Sequence, residues 1–430
     1  VHSFTIRGMT ENLRQRFGGR RVVVLDEMSM AKWGDLRVLD KFFRALTNRP
    51  NVPFGGIIVV LAGDFCQLPP VRGKYLYETP LKRDESTSGF DLYRAITDDA
   101  VVSLSEVKRT DNAKFIALCE SIRLGKWTKD IASQINSRVG ASLLAAPQHG
   151  GAESEYCPVL VRTNRTRQIL EQQRLRSIAS MASNDAELPI VVFAHMRTKR
   201  SASRLNTKEN EFILRLNDAL TNKVPTIAAF YPGARSLLTA NLNVACGLGQ
   251  GTRGQQVGWP EFPPGTTFEV QIVNGARVRV ANNDPVSCFF MLTATDLKGI
   301  PEGQPEGLPR NVVSLPMYRH RAFSIDLTNL PNNYRKSVMV EMEQVPLRPA
   351  NVVTSYVIQG SQFDRQIIYE TSPTEFYTQL SRSKTGLAGI SIAEGAMKPT
   401  FRPAARTKTD NELERLSEEH ARTKEDFDPK

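Results

Sequence analysis

Two apolar runs that end on carboxylates constrain this chain more than any other feature. Val22-Val23-Val24-Leu25 leads into Asp26-Glu27, and Ile57-Ile58-Val59-Val60-Leu61-Ala62 leads into Gly63-Asp64. Neither run alternates apolar with polar residues, so each reads as a strand covered on both faces, as in the parallel sheet of an α/β domain. The acids then fall at the carboxyl ends of the strands, where open α/β sheets place their ligands.

Helices are expected between and after these strands. In "GDLRVLDKFFRALTN" Leu36, Leu39, Phe43 and Leu46 recur at helical spacing, with Asp35 placed to cap the start. "AVVSL" at 100–104 reads as a short strand. "DNAKFIALCESIRLGK" reads as a helix with Phe115, Leu118, Cys119 and Ile122 on one face and Gly125 at its end. Residues 1–140 therefore read as a first α/β unit and 141–155, rich in Ala, Gly, Pro and Ser, as a linker. Strand and helix restart at "YCPVLVRTNRTRQILEQQRLRSI", and "LPIVVFAHM" supplies a further strand, so 156–250 reads as the first part of a second α/β unit. Gly/Pro-rich turns separate short β-rich runs across 251–345, read as an inserted β-rich domain. Residues 346–397 return to strand and helix and close the second unit. The tail, 398–430, is charged and nearly devoid of apolar pattern, so disorder or an exposed helix is expected.

The 430 residues, 40% hydrophobic, suffice for about two to three domains. No apolar stretch approaches the roughly 18 to 20 residues of a spanning helix. The chain opens in patterned sequence at Val1, read as a cut end, so the missing targeting signal carries no information. A formal charge of +11 favours a polyanionic partner. The five cysteines lie far apart with no C-x-x-C pair, which suggests neither a zinc site nor a disulfide framework and fits a reduced intracellular compartment.

Asp26-Glu27 at a strand end is the pair a nucleotide-hydrolysing site needs: the Asp to hold hydrated Mg²⁺, the Glu to polarise the attacking water. Standing alone, an acid pair after an apolar run is more often a strand cap or an ion-pair partner. "LAGDFCQLPPV" repeats the strand-end geometry with Gly63-Asp64 and then presents Gln67 on a loop stiffened by Pro69 and Pro70. A neutral amide there can bond both a terminal phosphate and the water attacking it.

An ordered set of motifs adds a resemblance. "VHSF" at 1–4, "VLDEMSM" at 24–30, "AGDFCQLPPV" at 62–71, "LSEVKRT" at 104–110, "QGSQFD" at 359–364 and "YTQLSRSKTGL" at 377–387 resemble, in order, the motifs of the PIF-type (petite integration frequency) DNA helicases of superfamily 1B, which include Helitron-like helicase domains. The resemblance covers residues 1 to about 395. It implies two RecA-like parallel-sheet motor domains, the first lacking its phosphate-loop strand here, with a small β-rich insertion in the second. It implies ATP and Mg²⁺ as cofactors, single-stranded DNA and DNA junctions as partners, no membrane, a monomer, 5′ to 3′ movement, and a nuclear or mitochondrial location in a eukaryote. Repair, recombination, telomere maintenance or mobile-element replication are the roles that go with it.

Carried over position by position, Asp26 resembles the Mg²⁺ ligand, Glu27 the water-activating residue and Gln67 the γ-phosphate sensor. Arg109 and Arg382 resemble the arginines that reach the γ-phosphate from either side, and Asp64 and Gly360 fall in nucleotide-binding motifs. His2, Ser3 and Phe4 match a segment that lies along single-stranded DNA, where an aromatic stacks on a base. Asn164, Thr354 and Gln359 match further DNA-contacting positions, and "TANLNVACGLGQGTRG" at 239–254 resembles the second motor domain.

Two departures stand out. No G-x-x-x-x-G-K-[ST] loop occurs in the chain; in the family that loop precedes the "HSF" segment, so it is expected upstream of Val1. Residues 1–430 alone are therefore expected to bind ATP weakly and turn it over negligibly. Where the family carries His, Lys and Ser before Gln-Gly, and Thr after, this chain has Tyr356, Val357, Ile358 and Gln362. The competing readings are a catalytically inactive nucleic-acid-binding remnant of such a helicase and a metal-dependent nuclease using Asp26, Glu27 and Asp64.

Overall fold

The computed structural model describes residues 15, 17–71, 73–81, 88–140, 156–198, 204–292, 307–309, 311–331, 335–397 and 407–427. His2, Ser3 and Phe4 lie outside the described residues. β1 (Val22–Leu25) and β2 (Ile58–Leu61) pair in parallel, Val22 opposite Ile58 and Leu25 opposite Leu61. Between them runs α1 (Trp33–Thr47), which begins earlier than expected: Lys32 is its cap, and the Asp35 carboxylate turns back to accept the Lys32 N–H at 2.9 Å. Phe43 and Leu46 of α1 pack with Phe54, Ile57 and Val59, while Leu36 joins Phe65, Leu76, Tyr77 and, from α2 (Ser88–Thr97), Tyr93.

Two-sided burial of the opening strands is not met among the described residues. Val22, Val24, Ile58 and Val60 share one face and are 51, 60, 60 and 42% exposed. An unalternating apolar run signals a doubly covered strand only where layers exist on both sides, and the described helices here cover one. "AVVSL" is not a strand either. It runs extended along the C-terminal helix described below, its Val101 N–H donating to Thr423 Oγ1 at 3.1 Å instead of to a strand.

The second sheet is wholly parallel: β17 (Val352–Thr354), β3 (Val159–Val161), β18 (Gln366–Ile368) and β19 (Ile390–Ile392), in that order. Its core takes Leu160, Val353, Ile368 and Ile390 together with residues from the first third of the chain. These are Phe115, Leu118 and Ile122 of α3 (Ala113–Arg123) and Ile131 and Ile135 of α4 (Lys129–Asn136). Both helices, read in the sequence with the first unit, thus share their burial with the second sheet. Asn112 caps α3 through the Phe115 N–H, and Gly125, at φ 70°, follows its end as expected.

Between β3 and β17 lie α5 (Asn164–Met181) and a β-rich region. One sheet has the order β6 (Ile227–Phe230), β4 (Ile190–Phe193), β10 (Ala276–Ala281), β9 (Phe268–Val273). A second runs β12 (Val312–Leu315), β11 (Cys288–Leu292), β8 (Arg253–Gln256), β7 (Arg235–Leu238), β16 (Leu347–Pro349). A third sets β13 (Tyr318–Arg319), β14 (Phe323–Asp326) and β5 (His195–Thr198) against β15 (Ser337–Gln344), with α6 (Thr207–Leu214) nearby in sequence. β4 therefore belongs to this region and not to the parallel sheet. Its run "IVVF" suits a buried strand in either setting, and periodicity alone cannot assign a sheet.

The described part of the tail is a helix in contact with the rest of the chain. Thr407–Phe427 forms α8, following the short α7 (Phe376–Leu380) of the second unit, and docks on the first. Tyr93 Oη donates to Glu412 Oε1 at 2.5 Å, Tyr77 Oη pairs with Thr409 Oγ1 at 2.7 Å, and Arg415 reaches Asp98 at 2.9 Å. The stripe that packs is mostly polar: Thr409, Glu412, Glu419 and Thr423, spaced as a heptad seam, are all buried, with Leu416 between them packed against the core of the first unit. A search for apolar periodicity passes over such a stripe.

Candidate nucleotide site

The end of β1 is bent hard. Glu27 adopts a left-handed conformation (φ 54°, ψ 45°), its N–H donating to Asp26 Oδ1 at 2.8 Å, before the turn Met28–Met30. Such a backbone costs a non-glycine residue about 1 kcal/mol and is held only where its surroundings demand it. Met28 N–H donates to Ala62 O at 2.9 Å, tying the ends of β1 and β2 together. Gly63 is needed for this: at φ 146° a Cβ would stand 2.8 Å from Met28 N.

Residues of the second unit complete the cluster. Gln359 Nε2 donates to Glu27 Oε2 at 2.8 Å, and a Cβ on Gly360 (φ 75°) would lie 4.0 Å from Glu27 Oε1. Arg382, 1% exposed, donates to Thr378 O at 3.0 Å, Ser381 Oγ at 3.3 Å and Gln67 Oε1 at 3.2 Å. Arg109 donates to Ser381 O at 2.6 Å, and its buried Nε has no partner. Burial first, and then the charge of Arg109, lower the Arg382 pKa to about 10. Among the described residues neither guanidinium is in an ion pair. Two neighbouring cations, one of them fully buried and lacking a carboxylate, make a site that an anion completes.

The other expected site residues have different partners. Asp64 is clamped by Arg123, Nε to Oδ2 at 3.0 Å and Nη2 to Oδ1 at 3.1 Å, and also accepts the Cys66 N–H at 2.9 Å. Burial acts to lower the Arg123 pKa, but the hydrogen bonds and charge of Asp64 outweigh it and raise it. Asp64 thus anchors α3 to the end of β2. Asn164 opens α5 and accepts from Arg167 Nε at 3.3 Å, with Thr163 as the cap. Thr354 is buried at the end of β17, where its carbonyl accepts the Val357 N–H at 2.9 Å.

Sequence reasoning missed three contributors. Arg123 ends a helix and carries no signal of its own. Tyr356, one of the departures from the expected pattern, sets its hydroxyl 3.5 Å from Pro69 O, bridging to the Gln67 loop. Arg253 of β8 donates to Ser361 Oγ at 3.0 Å and lies over the Phe363 ring at 5.3 Å, tying the β-rich region to the "QGSQFD" segment. The apolar departures also find a use: Ile358 is fully buried in the core of the second unit, with Val357 packed beside it.

The residues fit one end of a nucleoside triphosphate with its divalent cation. Among the described residues no group of three or more His, Cys, Asp or Glu is arranged to hold a metal by itself. A hydrated Mg²⁺ needs only one or two protein carboxylates, the remaining positions being water and phosphate oxygen, and Asp26 has a carboxylate oxygen to offer.

Residues 5–132 match the model of the PIF1-like helicase family. Over that stretch the chain is similar to PIF1-like helicases. Among relatives, the uncharacterized protein 030L of Invertebrate iridescent virus 6 is 22% identical over 388 residues, 84% of this chain and 69% of that protein. The ATP-dependent DNA helicase PIF1 of Xenopus laevis is 32% identical over 123 residues, 29% of this chain. The match spans 18% of the length of the frog helicase. In fold it is similar to Bacteroides Pif1 bound to single-stranded DNA, with a TM-score of 0.62 at 16% identity, covering 97% of this chain and 80% of that one. Pif1 from Candida albicans gives 0.56 at 18% identity, covering 94% and 79%. The chain is accordingly an α/β protein with two RecA-like parallel-sheet units. Among the described residues no helix is long and apolar enough to cross a membrane.

Proposed function

We propose that this chain is the motor of an ATP-dependent DNA helicase that moves 5′ to 3′ on single-stranded DNA. The observation that carries the reading is the meeting of Glu27 and Gln67 with Gln359 and Arg382, since it joins strand ends of the first sheet to the second unit through two side-chain hydrogen bonds. The family match and the fold support it, as does the net charge of +11. A Bacteroides Pif1 in complex with ADP-AlF3 and single-stranded DNA has a similar fold, at a TM-score of 0.61 and 17% identity.

In this reading Asp26 holds Mg²⁺, while Gln67, Arg109 and Arg382 hold the terminal phosphate. ATP with its cation supplies a phosphoanhydride open to attack by water. Glu27 accepts the proton of that water, and Gln359, donating to Glu27 Oε2, fixes the direction of the carboxylate. Arg382 presents a fixed positive charge where charge spreads in the transition state. Gln67 and Arg382 belong to different halves and bond to each other, so loss of the phosphate loosens both together and the cleft reopens. DNA then lies along the segment of His2, Ser3 and Phe4, with Asn164 on the second unit, while Thr354 is buried and Gln359 is engaged with Glu27. The two parallel sheets act as the cores of the two motor halves, α3 and α4 going with the second, and the β-rich region guides the strand. DNA maintenance by a monomer, nuclear or mitochondrial in a eukaryote, is the setting that goes with this reading.

The test is strand separation with ATP, in protein carrying a Gly-Lys-Ser phosphate loop ahead of residue 1. A duplex with a 5′ single-stranded tail is expected to open and one with a 3′ tail to stay closed. Opening from the 3′ tail, or Mg²⁺-dependent cleavage without ATP, overturns the reading.

A further inference from the structure

A cavity of about 460 Å³ lies between α5, the turn after α6, strands β6 and β7, and the return strand β16. It is separate from the cluster around Glu27 and Arg382. Six arginines line it, Arg165, Arg167, Arg174, Arg215, Arg235 and Arg348, against only two carboxylates, Glu171 and Asp218. Arg167 and Arg348 share the single Asp218, Arg348 at 2.9 Å. Glu171 Oε1 accepts the Val352 N–H at 2.8 Å, and burial raises its pKa, which weakens its hold as a counter-charge. Arg174 Nε is buried with no hydrogen-bond partner. Leu214, Pro225, Ile227 and Ala229 add an apolar stretch to a wall that also carries Gln172, Asn217, Tyr231 and Asn274.

A surplus of guanidiniums around a small space is stable when an anion fills it, and forked arginines suit phosphate better than any other side chain does. The volume is that of a small-ligand site, and the apolar stretch suits the flat face of a base. We propose that this cavity is a second nucleotide site, holding one nucleoside phosphate with its phosphate on the arginines and its base against Leu214 and Ile227. Its walls come from α5 of the motor and from the β-rich region, so an occupant fixes one against the other. The nucleotide is either free or one unit of a DNA strand; the recognising chemistry is the same.

Titration calorimetry of ADP into the chain tests this, with the motor site weakened by Arg382→Gln. Binding is expected to persist in that variant and to fall by about tenfold or more when Arg174→Gln and Arg215→Gln are added. Ala229→Leu, which narrows the cavity without removing charge, is expected to weaken it as well, and circular dichroism checks that each variant folds. In the Arg382→Gln protein, displacement of ADP by a short oligothymidylate assigns the site to a nucleotide of the strand. Retention of ADP assigns it to the free nucleotide. Loss of all ADP and oligothymidylate binding in Arg382→Gln, or affinities unchanged by both the arginine and the Ala229 substitutions, overturns the proposal.

Discussion

Arg382 shows how a single residue trades stability for chemistry. A guanidinium 1% exposed, with a second cation beside it, neutral hydrogen-bond acceptors and only the more distant charges of Glu27 and Asp64 to offset it, is costly to bury. Replacing it with methionine is expected to leave folding stability unchanged or raise it by about 1 kcal/mol, measured by urea unfolding. In protein supplied with a phosphate loop ahead of residue 1, the same change is expected to lower DNA-stimulated turnover by about 10³-fold. Loss of stability with turnover intact would mean that Arg382 is only a packing residue. His320 is perturbed in another way. It is buried, and burial lowers its pKa from 6.5 to about 4. Between those values the unfolded chain takes up a proton that the folded chain refuses, so stability falls as pH drops from about 6.5 and levels off below 4. The loss is expected to be on the order of 3 kcal/mol, and His320→Leu is expected to remove that slope. A slope unchanged in the variant would place its origin in other groups.

At the scale of elements, α8 is the clearest structural surprise. Its hold on the first unit rests on side-chain hydrogen bonds from Tyr77, Tyr93 and Asp98, so Tyr93→Phe, which leaves the buried Glu412 short of a donor, is expected to cost about 1 to 3 kcal/mol. Thermal unfolding reads this directly; an unshifted midpoint would mean that Arg415 alone satisfies Glu412. The sequence made α1 and α3 legible because their buried residues are apolar and recur at helical spacing. It hid α8 because the buried stripe is Thr409, Glu412, Glu419 and Thr423. β1 and β2 were legible as strands, yet their exposure was not, since two-sided burial depends on layers that the strands themselves do not encode. "AVVSL" failed for a related reason: apolar residues at strand spacing need a neighbouring strand, and the described neighbour is a helix.

Across the whole molecule, the site is legible in part because chemistry concentrates in short motifs. Asp26, Glu27, Gln67, Arg109 and Arg382 stand out from sequence by residue type at strand ends and by resemblance. Their convergence, through Glu27 with Gln359 and Gln67 with Arg382, depends on how two sheets far apart in the chain come together. The clamp of Arg123 on Asp64 was not legible, because nothing local distinguishes an arginine at a helix end that pairs 59 residues away from one that faces water. The most direct measurement is ATP hydrolysis stimulated by single-stranded DNA, with and without Glu27→Gln, in protein supplied with a phosphate loop ahead of residue 1. The expected result is hydrolysis that the substitution lowers by about 10²-fold or more while DNA affinity stays the same. Hydrolysis unaffected by Glu27→Gln, or absent in both proteins while DNA still binds, would contradict a motor built around these carboxylates.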